Sequence, residues 1–208
     1  MKKAPSCPAH RALGDFNGDG RLDIDYFNPK ELFFLLADDA SGYHSPVNKT
    51  GNIKTFYNAG YAANVRHLVG DINRDGADDM VFFLNSEDAV QIFLGQTTGD
   101  FILKEMTGVK LPSLSNAPTV LTDVNGDGDL DVVSFVEKKR YVYYGDKENL
   151  LPAVEEVALS TLSLNQETPV HARQYAHHLA GDLNGDGLGD ILSVTKKGEL
   201  QTLFIGHK

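Results

Sequence analysis

Apolar positions along this chain come in short runs separated by polar, glycine-rich stretches. Four of these runs are alike: Ile24-Asp25-Tyr26-Phe27, Met80-Val81-Phe82-Phe83-Leu84, Val132-Val133-Ser134-Phe135-Val136 and Ile191-Leu192-Ser193-Val194. They are rich in β-branched and aromatic residues and too short for helices, which predicts β-strands. Val65-Arg66-His67-Leu68-Val69 and Pro118-Thr119-Val120-Leu121 predict further strands upstream of two of them. A third kind of run follows downstream, at 32–36, 90–95, 141–145 and 200–206, and three of these four end in Gly, a turn signal. A fourth kind is visible at 53–57 and 101–105. Residues 153–164 have apolar spacing that suits a strand or a short helix, and analogy with the neighbouring segments predicts the strand. The longest apolar runs, such as 32–37 and 80–84, are far too short to cross a bilayer as helices.

Between the first and second strand of each set lies a polar loop that repeats. Asp15-Phe16-Asn17-Gly18-Asp19-Gly20-Arg21-Leu22-Asp23 recurs at 71–79, 123–131 and 182–190, always as D-x-N-x-D-G-x-x-D. Successive copies start 56, 52 and 59 residues apart, the scale of supersecondary units that stack or form rings. Four short antiparallel strands per unit is the pattern of β-propeller blades. The loop chemistry is that of a hard cation. Calcium takes six to eight oxygen ligands, and a tight loop supplies them at alternate positions. Positions one, three, five and nine are Asp, Asn, Asp and Asp in every copy, while position seven varies, as a residue donating only its carbonyl can. Position six is always Gly, where the chain must turn sharply with positive φ. Asp-Gly hairpin turns without metal would explain one copy, but not the same four oxygen positions four times.

These loops are not EF-hands. Position twelve, which must be Glu there, is Tyr26, Phe82, Ser134 and Ser193, and the flanks are strands rather than helices. Dockerin-type and thrombospondin-type calcium repeats are more closely spaced. The expected ligands are Asp15, Asn17, Asp19 and Asp23; Asp71, Asn73, Asp75 and Asp79; Asp123, Asn125, Asp127 and Asp131; and Asp182, Asn184, Asp186 and Asp190. The carbonyls of Arg21, Ala77, Asp129 and Leu188 complete each set, giving about four structural Ca²⁺ ions. Magnesium, which prefers a small octahedral shell with several waters, fits less well. Arg74 replaces Gly at position four of the second loop, where its charge either weakens that site slightly or points into solvent.

Charge then changes the picture. The chain of 208 residues carries a net charge of −10, which argues against nucleic acid or an anionic membrane as the main partner. Twelve of its 29 acids are loop ligands, so the acidity is largely the imprint of the loops. Four divalent cations would bring the net charge to −2. The single Cys, Cys7, excludes an intrachain disulfide framework. Met1-Lys2-Lys3 is basic like a signal peptide start, but Ala4-Pro5-Ser6-Cys7-Pro8 has no apolar core. The expectation is a chain not exported by that route, or a fragment of a longer protein.

The loop, the apolar strand after it, and the later x-Φ-x-Φ-Φ-G strand followed by Asp100-Phe101 resemble FG-GAP/VCBS repeats, the calcium-loop blades of integrin α-subunit propellers and of many bacterial surface and toxin proteins. The likeness covers residues 10–206. It implies an all-β propeller with a tail at 1–9, repeats at 10–63, 64–116 and 117–173, and a partial repeat at 174–208. Four loops against the family's usual seven blades imply an open arc, a segment of a longer propeller, or self-association through open edges. A closed four-bladed ring would need an unusual last blade, because Pro5 and Pro8 make 1–9 a poor closing strand.

Three repeats also carry basic or titratable pairs just upstream of the loop: His10-Arg11, Arg66-His67 and His177-His178. On an innermost strand, His10, Arg66, His67, His177 and His178 are candidate ligand-binding residues for an anionic or polar ligand, although a solvated strand end that offsets nearby carboxylates explains them as well. Recurrent aromatics such as Phe34, Phe82, Phe93, Phe135 and Tyr143 read as packing between blades. No G-x-S-x-G, phosphate-binding Gly loop or H-E-x-x-H is present, so no catalytic residue is assigned. The expected function is a non-catalytic adhesion, carbohydrate-binding or scaffold module for protein or glycan partners, extracellular, periplasmic or at the cell surface. The alternative is the propeller of a polysaccharide-lyase-like or phospholipase-like enzyme.

Overall fold

The structure, a computed structural model, describes residues 10–28, 31–38, 42–43, 47–48, 67–84, 89–106, 119–136, 139–158, 175–195 and 200–204. Among them there are strands and turns and no helix. The first sheet holds β1 (His10–Gly14), β2 (Asp23–Asn28), β3 (Glu31–Leu35) and β6 (Val47–Asn48), in that spatial order. A small hairpin of β4 (Ala37–Asp38) and β5 (Gly42–Tyr43) interrupts it. The second sheet runs β7 (His67–Gly70), β8 (Asp79–Leu84), β9 (Ala89–Gly95) and β10 (Phe101–Met106). The third runs β11 (Thr119–Thr122), β12 (Asp131–Val136), β13 (Lys139–Asp146) and β14 (Leu150–Ala158). The fourth has three strands, β15 (Tyr175–Gly181), β16 (Asp190–Thr195) and β17 (Leu200–Phe204). All pairings are antiparallel between sequence neighbours, except that β3 skips the β4–β5 hairpin to pair with β6.

Each D-x-N-x-D-G-x-x-D loop joins the first two strands of its sheet. The ninth-position Asp opens the second strand directly opposite the last residue of the first: Gly14 faces Asp23, Gly70 faces Asp79, Thr122 faces Asp131 and Gly181 faces Asp190. The strand expected at 53–57 lies outside the described residues, and the described fourth strand of the first sheet is the earlier β6. The segment beginning near 153 is a strand, as expected, but it starts at Leu150 beside a register shift at Tyr144/Asp146, and 159–164 lie outside the described residues.

The chain forms two compact units, one of residues 1–71 and 75–111, the other of 72–74 and 112–208. The core of the first is aromatic: Phe16, Phe34, Met80, Phe82 and Phe93 are buried together, with Leu36, Val69, Phe101 and Leu103 against them. Phe16 meets Phe34 edge-on at 5.0 Å, and Phe34 stacks on Phe101 at 4.6 Å, geometries that suit the ring quadrupole. The core of the second is mostly aliphatic, built on Val120, Val124, Val133, Val142 and Ile191 with one aromatic, Phe135. Position two of the loop therefore belongs to the core: Phe16, Ile72 and Val124 are buried, while the equivalent Leu183 is 59% exposed. Phe16→Ala should cost about 3–5 kcal/mol of unfolding free energy, and Leu183→Ala under about 0.5 kcal/mol, in urea titrations. Similar losses for both would contradict this burial difference.

Candidate metal centres

The four loops share one hydrogen-bonding frame. The first Asp caps the turn: Asp15 accepts the N–H groups of Asp19 (3.0 Å) and Gly20 (2.7 Å), and Asp71 those of Asp75 (3.0 Å) and Gly76 (2.9 Å). Asp123 accepts from Gly126 and Gly128, and Asp182 from Gly185, Asp186 and Gly187. In the first, third and fourth loops the Asn at position three accepts the N–H of position five through Oδ1 and donates from Nδ2 to that Asp's Oδ2, as Asn125 does with Asp127 at 2.9 and 2.8 Å. The position-five Asp accepts the N–H of position seven, at 2.9 Å from Arg21, Ala77 and Leu188 and 2.7 Å from Asp129. Gly20, Gly76, Gly128 and Gly187 have φ of 83°, 91°, 87° and 85°, the left-handed turn that position six requires.

The ninth Asp is different: it is wholly buried. Asp23 accepts the N–H groups of Phe16 (3.1 Å) and Ala37 (2.8 Å), and Asp131 those of Val124 and Gly145, both at 2.8 Å. Asp79 accepts from Gly95 at 2.8 Å, and Asp190 from Leu183 at 2.9 Å. Asp23, Asp79 and Asp131 thereby tie the loop to the end of the third strand. That bond explains the closing Gly of the third strand, because a Cβ on Gly95 or Gly145 would collide with the carbonyl of Asp78 or Leu130.

Neighbouring loops also touch within each unit. In the first, Asp78 N–H donates to the Asp15 carbonyl at 2.7 Å, and Asp15 N–H to Asp78 Oδ2 at 2.7 Å. In the second, Gly189 N–H donates to the Asp123 carbonyl at 2.5 Å. Neither position-eight contact was legible in the repeat, where that residue is Leu22, Asp78, Leu130 or Gly189.

Burial disfavours the charged form of three of these acids. Burial pushes Asp131 up to about 6, the N–H groups of Gly145 and Val124 oppose this, and Asp127 and Asp123 push it further up. Burial also raises Asp23, with Asp19 and Asp15 adding to it, and raises Asp78. The exposed Asp182 is instead lowered, chiefly by the Gly187 N–H. Among the described residues no three His, Cys, Asp or Glu side chains converge into a ready cage. The donor set of each loop instead mixes carboxylates, one amide oxygen and a backbone carbonyl over nine residues, all hard oxygens that suit a divalent cation.

The upstream basic pairs fare unequally. His67 is buried, with Nε2 2.9 Å from Asp25 Oδ2, and its ring stacks on Phe82 at 5.2 Å. Asp25 also accepts the Ala12 N–H and is fully buried. This partner escaped the sequence reading, although an Asp inside the apolar run Ile24-Asp25-Tyr26 was its signal. His10 opens β1, and His177 and His178 lie in β15, while Arg66 lies outside the described residues.

The FG-GAP-like repeat description matches residues 71–134 and 123–193, more than half of the chain. The chain belongs to the FG-GAP repeat family. No curated protein sequence matches it. Among solved structures, it is similar to an Agrocybe aegerita lectin that specifically recognises non-reducing terminal N-acetylglucosamine, with TM-score 0.72 and 18% identity, covering 95% of this chain and 49% of the lectin. It is also similar to part of the Photorhabdus luminescens Tc holotoxin pore, with TM-score 0.63 and 15% identity, covering 95% of this chain and 9% of that one. The chain thus spans about half of the lectin's length. At such identities the likeness concerns the fold, which is all-β and β-propeller-like.

A buried acid whose native pKa exceeds its unfolded value holds its proton more tightly when folded. In metal-free protein, unfolding free energy should therefore fall as pH rises from 3.8 to about 6, and level off above, as Asp131 ionises. Asp131→Asn should flatten that slope in urea titrations at stepped pH; an unchanged slope would assign it to other groups.

Proposed function

We propose that this FG-GAP repeat chain is a calcium-stabilised binding module, an open or partial propeller of four repeats. It presents its loops to a protein or glycan partner within a larger surface, secreted or toxin-like protein. The observation that carries this reading is the fourfold recurrence of one oxygen set on one hydrogen-bonded frame. Positions one, three, five and nine, with the carbonyl of position seven, would hold Ca²⁺. The ion would neutralise carboxylates that the fold has brought together, so binding and folding are coupled. The lectin neighbour supports a glycan as partner, and the fourth sheet, three-stranded among the described residues, fits the expectation of self-association through an open edge. The absence of a catalytic signature in the sequence supports a non-enzymatic role.

Chelation is the first check. Thermal unfolding in EGTA should come many degrees lower than in excess calcium, since ligand at 100 times its Kd adds about 2.7 kcal/mol per site. An unchanged melting temperature would remove structural calcium from the reading. Asp75→Ala and Asp127→Ala should each delete one bound ion in native mass spectrometry; unchanged stoichiometry would reject those ligands.

Partner class is tested by a glycan array that includes N-acetylglucosamine-terminated glycans, run beside a polysaccharide-lyase assay. Binding without turnover is the expected result. Calcium-dependent turnover abolished by His177→Ala would overturn the non-catalytic assignment.

A further inference from the structure

Two charged residues at variable positions of neighbouring loops meet. Position four is Gly18, Gly126 and Gly185 in three loops, with φ of 68°, 77° and 80°, but Arg74 in the second, held at φ 58°. A side chain in that left-handed region is strained where glycine is not. Position seven is Arg21, Ala77 and Leu188 in three loops but Asp129 in the third, an extra carboxylate inside a nine-residue acidic loop. Arg74 belongs to the same compact unit as the third loop. Its Nε stands 2.7 Å from Asp129 Oδ1, and its Nη2 donates to the Asp127 carbonyl at 2.7 Å. The guanidinium also lies against Gly128, where a Cβ would come 2.6 Å from Nη2. Arg74 thus grips positions five to seven of that loop.

We propose that Arg74 is the counter-ion of the third loop, neutralising Asp129 and holding its carboxylate away from the cation, so that this loop binds calcium more weakly than its uncompensated charge would dictate. This rests on the calcium reading above. The Arg74–Asp129 pair is neutral, so the loop presents its cation with the carboxylates of Asp123, Asp127 and Asp131 alone. Removing Arg74 leaves a fourth negative charge beside the cation. Removing the charge of Asp129 leaves an unpaired positive one, and removing both restores neutrality.

The test is a calcium titration of the full chain, read at the amide resonance of Gly128, with that of Gly187 in the fourth loop as internal control. Arg74→Gly, which also relieves the backbone, and Arg74→Gln, which keeps the side chain's bulk, should each tighten the third loop about fivefold at low salt, less at high salt. Asp129→Asn should weaken it by a similar factor. The double variant Arg74→Gln/Asp129→Asn should return within about twofold of the wild type, because the two charges act as a pair. Gly187 should report an unchanged affinity throughout. Unchanged or weaker binding in the Arg74 variants, or additive effects in the double variant, would overturn the counter-ion role while leaving calcium binding standing. If the wild type binds no calcium, the proposed function fails, and the pairing is judged by urea unfolding of the same four proteins. A coupling between the two substitutions then supports the pair, and strict additivity rejects it.

Discussion

The buried carboxylate at the end of each loop is the constraint on which the blades depend. Asp23, Asp79, Asp131 and Asp190 are almost fully excluded from water, and burying a charge is costly unless donors surround it. Asp23 and Asp131 each receive two backbone N–H groups, one from position two of the loop and one from the residues that close the third strand. One side chain thereby fixes the loop, the first hairpin and the third strand together. The apolar residue at position two follows from this: once its N–H is bound to the carboxylate, the side chain of Phe16 or Val124 turns into the core. The glycine closing the third strand follows too, because the backbone must approach the loop closely enough to donate.

Much of this was legible in the sequence. The strands flanking each loop were readable because their signal is local, an apolar run beside a fixed polar motif. The oxygen-bearing positions were readable because they recur four times. What escaped was non-local. The first sheet is completed by Val47–Asn48 after an inserted hairpin, and nothing periodic marks that pair among the turn residues around it. The repeat made the ninth Asp an expected ligand and gave no sign of its role as a staple, since its partners at Ala37 and Gly145 lie 14 residues downstream. The sequence leaves His67 as a candidate ligand-binding residue or part of a solvated strand end, whereas its ring is buried against Asp25 and Phe82. It leaves Arg74 weakening its own loop or pointing into solvent, whereas its bonds are to the third loop, 53 residues away at Asp127.

Contact between loops links the local frame to the sheets. Asp15 gives its side chain to its own turn while its backbone exchanges two bonds with Asp78 of the next loop. Gly189 makes the corresponding approach to Asp123, and its missing side chain is what allows it, because Thr122 and the Asp123 carbonyl occupy the space a Cβ would need. A change of shape in one loop is therefore felt by the carbonyl or amide of its neighbour in the same unit. A disturbance at a first-position Asp is then not confined to one turn.

The backbone frame satisfies hydrogen bonds without supplying charge, and that difference is where the loops' chemistry lies. Each N–H donor offsets part of the cost of a buried or crowded carboxylate, yet the donors are dipoles and leave the net charge of −10 in place. Burial, with Asp127 and Asp123 adding to it, pushes Asp131 up to about 6 although two N–H groups already bind it, so the dipoles do not offset the whole cost. In one place the chain supplies a whole positive charge itself, at Arg74, and it does so beside Asp129, the acid that the third loop alone carries at position seven. Elsewhere no residue of the loop plays that part except Arg21, whose guanidinium lies 3.3 Å from Asp19 with a side chain 40% exposed, too open to water for a strong pair. On the proposed reading, a divalent cation would supply the counter-charge that the frame lacks. Oxygen donors spread over nine residues would take it up as the loop closes, so the same binding energy would neutralise the carboxylates and hold the hairpin in register.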